Sequence, residues 1–424
     1  MSLPPGPYLV VGLARSGAAA ARMLAGHGEV IGCDIASPPA PEGIESHMET
    51  EGVELLDRVR TVVKSPGVPR EAPVVVEALR RGLEVTGELE LAWRLLPNEL
   101  LAVTGTNGKT TTVELLGAIL REAGVPVAVA GNVGTPLASL VGSLDQAARV
   151  VCEVSSFQLE DISEFRPGCA VLLNIEEDHL DRHHTLGAYR SAKLRVFENQ
   201  GPEDVAVLPA GLELPLVAAA AVTFGPGGAL ELHDGQLRWR GQPLLPAAEV
   251  RLRGAHNLEN AMAAAAAALA TGVPADAVRA ALRGFPGVPH RMEEVAEIGG
   301  VLYMNDSKAT NVASALRGIE AFDGGVHAIL GGSLKGGGFA GLREAVASRC
   351  RACYLIGAAA ERLAADLEGT VPLLRCGELE RAVREAREAA QPGDVILLSP
   401  ACASYDQYRD FEERGERFRA LARA

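Results

Sequence analysis

Short apolar runs recur along the chain, each closed by glycine or a polar turn, and most are followed by a stretch of helical period. Residues 7–34, "PYLVVGLARSGAAAARMLAGHGEVIGCD", read as strand, glycine turn, helix and strand, the second strand ending at Asp34. "VVKSPGV" at 62–68 ends another strand in a turn, and the helix "GELELAWRLL" precedes "PNELLAVTG", which opens a new strand. A first domain boundary is therefore expected near Pro97. Up to about residue 285, "LLAVTG", "PVAVAG", "RVVCEVS", "CAVLLNI" and "VAVLP" alternate with helical segments. Continuous apolar strands separated by helices predict a parallel sheet buried on both faces. "GFPGVPHR" at 284–291 is proline and glycine punctuation and serves as a second linker. Beyond it, "MEEVAEIGGVLYMND" reads as a hairpin around Gly299-Gly300, then "VHAILGG", "ACYLIG" and "DVILLSP" continue the alternation up to an acid- and arginine-rich terminal helix. The expectation is an α/β protein of three domains, 1–96, 97–286 and 287–424.

Composition narrows the class. The chain is 48% hydrophobic and 22% charged, which predicts folded domains. A net charge of −14 argues against nucleic acid or an anionic membrane as partner, while leaving an anionic small ligand open to a local cradle. The opening "MSLPPGPYLVVGLARSG" lacks the basic region of a secretory signal, and the longest apolar stretch, 261–270, is too short to span a bilayer and reads as a buried helix. Seven scattered cysteines suit a reducing cytosol, so a cytoplasmic location is expected. Cys350 and Cys353 form one C-x-x-C within a strand-like run, with no second pair to complete a zinc site, so they read as core.

Only five of the 40 basic residues are lysine: Lys64, Lys109, Lys193, Lys308 and Lys335. Arginine fills the generic positive positions, so each lysine is a candidate for work that a planar, permanently charged guanidinium cannot do.

Four of the five fall in stretches that carry chemistry. "TGTNGKTTT" follows an apolar strand and opens a helix, the setting in which glycine-freed N–H groups, a helix dipole, Lys109 and Thr110 would cradle phosphate and Mg²⁺. It is shorter than G-x-x-x-x-G-K-[ST], since Val103 stands where that pattern has its first glycine. Glu153 ends the buried run "RVVCE", the position of a second metal acid. "NIEEDHLDRHH" is dense in carboxylate and imidazole and favours Mg²⁺ over Zn²⁺, with His179 the first candidate ligand and a solvated loop the bland alternative. Lys193 lies in "AYRSAKLRVF", where a surface role would have used arginine. "MNDSKATNVAS" and "LGGSLKGG" set Lys308 and Lys335 among small polar residues suited to a phosphate or carboxylate. Ser399 and Ser404, near the start of the last helix, would bind an anion or cap. The G-x-A-x-x-G turn (Gly12, Ala14, Gly17) is a degraded dinucleotide fingerprint.

Together, "TGTNGKTTT", "GNVG" (131–134), "EVSSFQLE", "DHLDRH", "YRSAKLRVF", "HNLENA", "PHRME", "NDSKATN" and "SPACASYDQYRDFEERG" resemble the Mur ligases of peptidoglycan synthesis, over nearly the whole chain and in the same order. The last two blocks are similar to the D-glutamate-adding branch. The short loop is shared with folylpolyglutamate synthases and marks only the superfamily. The resemblance implies a Rossmann-like UDP-binding domain, a central ATP-binding domain of P-loop ATPase type and a Rossmann-like C-terminal domain. It implies ATP-dependent amide formation between UDP-N-acetylmuramoyl-L-alanine and D-glutamate through an acyl phosphate, by a cytoplasmic monomer.

Carried over residue by residue, the catalytic set is Lys109, Asn132, His179 and Lys193. ATP would meet Gly105, Thr106, Asn107, Gly108, Lys109, Thr110, Thr111, Asn257, Asn260, Arg291, Asp306 and Lys308. Two Mg²⁺ would be held by Thr110, Glu153, His179 and Lys193, the last as a CO₂-derived carbamate. The UDP-muramoyl substrate would meet Gly12, Arg15, Ser16, Asp34, Ser65, Gly67, Asn132, Ser155 and Gln158, and D-glutamate would meet Thr310, Lys335, Ser404 and Phe411. Ile35, Ala36 and Ser37 replace the Thr/Arg pair expected beside uracil, so that contact is unassigned. A nicotinamide dehydrogenase would explain the first turn but neither the 101–112 loop nor the lysines. A nucleotide-binding switch would explain the loop but not the C-terminal domain. A sister ligase would differ only in its acceptor.

Overall fold

The computed structural model describes residues 2–212, 218–334 and 338–424, and divides into two compact units. The first comprises 1–250 with 256–284, and the second 251–255 with 285–424.

The first unit contains two sheets. The N-terminal one takes β1 (Tyr8–Val11), β2 (Val30–Asp34), β3 (Glu45–Met48), β4 (Thr61–Lys64) and β5 (Glu84–Gly87), all parallel in the order β3-β2-β1-β4-β5. Gly12 ends β1 at φ +83°, turning the chain into helix Arg15–Ala25. At Gly17 an added Cβ would stand 1.8 Å from the Gly12 carbonyl oxygen, so only glycine lets the helix lie this close to the turn.

The larger sheet takes β6 (Leu100–Thr104), β7 (Val127–Gly131), β8 (Arg149–Glu153), β9 (Cys169–Leu172), β10 (Val205–Pro209), β11 (Ala220–Phe224), β12 (Leu230–His233), β13 (Gln236–Trp239) and β14 (Gln242–Pro246). Their order is β14-β13-β12-β11-β10-β9-β6-β8-β7. From β12 to β7 every pairing is parallel, as the apolar runs predict, but β12, β13 and β14 form an antiparallel edge that those runs did not announce. These edge strands are half-exposed, so they alternate instead of running apolar. The Ala-rich stretch lies within helix Ala255–Ala270, buried from Ala261 to Ala268 as expected.

Two acids explain why the two sheets share a unit. Helix Glu88–Leu95 follows β5, and the Glu90 carboxylate accepts the backbone N–H groups of Ser163, Glu164 and Phe165 at 2.9–3.0 Å, with Arg94 at 2.8 Å. Glu88 accepts the Ala138 N–H at 2.6 Å from full burial, which pushes its carboxyl up to about 7.

In the second unit, β15 (Glu293–Ile298), β16 (Val301–Asn305), β17 (Val326–Gly331), β18 (Cys350–Ile356), β19 (Leu373–Gly377) and β20 (Val395–Leu398) form a sheet ordered β15-β16-β20-β17-β18-β19. It is parallel except for β15, the first arm of the hairpin around Gly299-Gly300. Cys353 is wholly buried within β18 and Cys350 is partly buried; both are free, as a core reading requires. The last helix spans Phe411–Arg423, with the Asp410 side chain accepting the Glu413 N–H at its start.

Gly17→Ala should destabilise the first unit by about 3 kcal/mol, because overpacking against a carbonyl has no soft neighbour to yield. Urea unfolding followed by circular dichroism would show the fall in midpoint.

Candidate active site

The centre of the first unit is a carboxylate at a strand end. Glu153 closes β8, wholly inside, and receives the Thr110 hydroxyl at 2.8 Å and the Asn132 amide at 3.0 Å. Each partner comes from a different turn. Thr110 is on the first turn of helix Lys109–Glu122, and Asn132 follows β7. Gly131, at φ +118°, lets that turn press against β8, where a Cβ would meet the Glu153 carbonyl oxygen at 2.1 Å.

The loop from Gly105 to Gly108 closes over this point. Both glycines have positive φ, and a Cβ on Gly108 would stand 2.0 Å from the Asn260 side-chain oxygen, while the Asn260 amide nitrogen donates to Asn257 Oδ1 at 3.3 Å. Thr106 and Asn107 are tied to β9's extension. The Thr106 N–H donates to the Asn174 carbonyl, and the Asn107 N–H donates to the Asn174 side chain at 2.9 Å. Lys109 Nζ donates to the carbonyls of Gly105 and Thr106, each at 2.9 Å. Thr111 is buried on the same helix.

Lys193 approaches the loop from helix Leu186–Leu194. Its side chain is 1% exposed, donates to the Gly105 carbonyl at 2.7 Å and lies 4.5 Å from the Tyr189 ring centre. Burial, with the Lys109 charge nearby, pulls its ammonium down to about 7. The Tyr189 hydroxyl reaches Thr106 at 3.1 Å, so the i, i+4 pair Tyr189/Lys193 braces the loop from below. His179 precedes helix Leu180–His183 in left-handed backbone at φ 52°, its ring against Phe157 at 4.9 Å and 6.2 Å from Tyr189. Among the described residues no three His, Cys, Asp or Glu side chains gather as a metal cluster, so the dense 174–184 run is not one by itself.

At the end of β2, Asp34 accepts the N–H groups of Leu13, on the turn after β1, at 2.7 Å and of Ala36, on its own loop, at 2.8 Å. Ser65 donates to the Gly12 carbonyl at 2.6 Å, and Arg15 reaches the Gly134 carbonyl at 3.3 Å. Ser16 lies on the first turn beside them, and Gly67 has open space where a side chain would be. Ser155 and Gln158 form a capping box on helix Ser156–Leu159, which leaves the Gln158 Nε2 buried and without a hydrogen bond.

The second unit gathers the remaining residues. Asp306 is buried, accepting the Ser399 hydroxyl at 2.8 Å and the Met292 N–H at 3.2 Å; burial pushes its carboxyl up to about 7 against the pull of Arg291. Ser399 is therefore no anion ligand at the last helix, which begins only at Phe411; its hydroxyl is committed to Asp306. Lys308 Nζ lies 5.6 Å from the Phe411 ring centre, and Thr310 donates its N–H to the Lys308 carbonyl. Ser404 is buried in the turn before Phe411. Lys335 lies outside the described residues. Sequence reading missed Arg414, which is 1% exposed and donates to Ser307 and to the carbonyls of Cys402, Ala403 and Gly331, holding this loop together. It also missed Asn174 and Tyr189. The Tyr189/Lys193 spacing was the available signal for the latter.

Residues 103–268 match the family model described as Mur ligase middle domain, and residues 290–402 match that described as Mur ligase, glutamate ligase domain. Solved structures give the same fold at low identity. The UDP-N-acetylmuramate-alanine ligase of Thermotoga maritima has a TM-score of 0.62 at 20% identity over 99% of both chains. A MurF ligase from the same organism, in complex with ADP, has a TM-score of 0.63 at 18% identity over 93% of this chain and 90% of that one. Curated relatives are closer in sequence. Proteins named UDP-N-acetylmuramoylalanine–D-glutamate ligase from Acidobacterium capsulatum and Geobacter metallireducens are each 45% identical, covering 100% and 98% of this chain and 97% of each relative. The chain belongs to the Mur ligases and, among them, to the UDP-N-acetylmuramoylalanine–D-glutamate ligase family.

A lysine whose folded pKa is depressed opposes folding wherever the unfolded chain would hold it protonated. For Lys193 that stability is present above about 10.5 and lost as pH falls toward about 7. Lys193→Met should therefore raise stability at pH 7 by about 1–3 kcal/mol, with the advantage shrinking toward pH 10. Thermal unfolding across that range would show it.

Proposed function

We propose that this chain joins D-glutamate to UDP-N-acetylmuramoyl-L-alanine with cleavage of ATP to ADP and phosphate, in the cytoplasm and as a monomer. The observation that carries this reading is the convergence of Lys109, Thr110, Asn132 and Lys193 on the Gly105 loop and the Glu153 carboxylate. The substrate's alanyl carboxylate oxygen attacks the γ-phosphorus, and ADP leaves. The amine of D-glutamate then attacks the acyl carbon, loses a proton, and the tetrahedral intermediate expels phosphate. Both steps crowd anionic oxygens, so positioning and charge compensation do most of the work.

In that scheme the Gly105–Gly108 backbone, Lys109 and Thr111 hold the ATP phosphates, and Asn257 and Asn260 lie on the adenosine side. Arg291, Asp306 and Lys308 serve ATP from the C-terminal unit. Thr110 and Glu153 offer the hard oxygen donors that Mg²⁺ prefers, and His179 belongs to a second site. Bound Mg²⁺ would supply charge neutralisation to the phosphates. Lys193 fits a carbamate: its amine is buried, held near neutrality, and aimed at the loop. Addition to CO₂ makes an anionic oxygen ligand of a group that would otherwise repel the cation. Ser155 and Gln158 face the muramoyl part, with the orphaned Gln158 amide available to it. Gly12, Arg15, Ser16, Asp34, Ser65 and Gly67 face the UDP part. Thr310, Lys335, Ser404 and Phe411 take D-glutamate. We assign three working domains, 1–96, 97–286 and 287–424, one to each sheet.

The test is phosphate release from ATP with Mg²⁺ and UDP-N-acetylmuramoyl-L-alanine over a panel of amino acids. Release only with D-glutamate is expected. Release with another amino acid assigns a sister ligase, and none with any acceptor refutes the reading. Lys193→Arg should lose about 100-fold or more in rate, since a guanidinium forms no carbamate. Intact-protein mass spectrometry under bicarbonate should show a labile gain of one CO₂ that this variant lacks.

A further inference from the structure

Lys64 is the one lysine that none of the roles above absorbs. It ends β4 with no exposed surface, pairs with Asp161 at 2.7 Å and donates to the Val68 carbonyl at 3.0 Å. The Asp161 side chain is itself 2% exposed, and its other oxygen faces Arg70 at 3.4 Å. The same Val68 carbonyl accepts a second cation. Arg182, on helix Leu180–His183, donates to it at 3.0 Å and pairs with Glu160 at 3.3 Å. Glu160 also faces His183 at 3.3 Å, whose other ring nitrogen meets the Ser156 hydroxyl at 3.0 Å.

Removing two charges from water is costly, and a buried pair is weak evidence of stabilisation. Two cations from separate elements on one carbonyl instead over-determine where that carbonyl sits. The elements they join are informative. Residues 65–68 carry Ser65 and Gly67. Helix Ser156–Leu159, one turn before Asp161, carries Gln158 and is capped by Ser155. Helix Leu180–His183 follows directly on His179. The network therefore links the turn proposed for the UDP-sugar, the helix proposed for the muramoyl-alanine end and the histidine proposed for metal.

We propose that Lys64, Asp161 and Arg182 are positioning residues that set the distance between the two ends of the nucleotide-sugar site, so that this long substrate is held at both ends at once. The inference rests on the ligase reading above, with UDP-N-acetylmuramoyl-L-alanine as the substrate that spans those elements. The three residues act through Val68, Ser65 and Gln158 and do no chemistry themselves.

The test is steady-state phosphate release by the full chain, varying each substrate in turn, for Arg182→Met and for the charge-neutral pair Lys64→Met with Asp161→Asn. The Arg182 side chain is 13% exposed, and its loss leaves Glu160 its His183 partner; the paired change avoids an orphaned buried charge. Both variants should raise KM for UDP-N-acetylmuramoyl-L-alanine by about tenfold or more, since small misplacements of a bound substrate carry such penalties. KM for D-glutamate should stay within about twofold of wild type, because it is not proposed to touch these elements. A purely structural role would lower the unfolding midpoint and the active fraction without that split. Unchanged KM for the nucleotide sugar in both variants, with the wild type active, overturns the positioning role alone. A wild type inactive on this substrate overturns the ligase reading, and the inference with it.

Discussion

The Glu153 carboxylate is the point on which the rest of the first unit is arranged. It lies at the end of a buried strand, where desolvation makes an anion expensive to hold, and it is satisfied by Thr110 and Asn132 from two neighbouring turns. Those two contacts fix the start of helix Lys109–Glu122 and the turn after β7 relative to β8. The glycines follow from that demand. Gly131 permits the approach to β8, and Gly108 permits the approach to Asn260. Lys109 and Lys193 then both donate to the Gly105 carbonyl, so the two amines converge on one point of the loop.

Several buried groups are held at a cost to stability. Lys193 and Arg414 are cations inside the protein, with Arg414 pulled down to about 10 by burial, while Glu88 and Asp306 are carboxyls pushed up to about 7. A fold selected for stability alone would place apolar residues at such positions. Three of these groups fasten loops or sheet edges: Glu88 to the Ala138 segment, Asp306 to Ser399 and Met292, and Arg414 to the turn that carries Ser404. Lys193 is the one of the four for which a covalent change is proposed. The distinction between a tether and a reactive group lies in what each side chain faces, since burial is common to all four.

The parallel sheets, the Gly299-Gly300 hairpin, the buried Ala-rich helix and the glycine loop before helix Lys109–Glu122 were legible because each rests on short-range rules: continuous apolar runs, glycine turns and a strand running into a helix. Lys109, Thr110 and Glu153 were legible for the same reason, standing at strand or loop ends that the pattern marks. The scarcity of lysine singled out Lys193 before any contact was visible. What stayed hidden depends on partners distant in sequence. The Asn174 amide on Asn107, the Arg414 guanidinium among carbonyls and the Lys64–Asp161 pair leave no local trace. Ser399 was misjudged because its hydroxyl answers to Asp306, far upstream. The β12–β14 edge escaped because half-exposed strands lack the continuous apolar signal.

The most direct measurement is calorimetric titration of a non-hydrolysable ATP analogue into wild type and Glu153→Gln, each with and without Mg²⁺. If Glu153 organises a metal-dependent phosphate cradle, wild type binds the analogue far more tightly with Mg²⁺, and the variant loses that dependence while still folding. Equal binding by both proteins, or binding indifferent to Mg²⁺ in wild type, would contradict it.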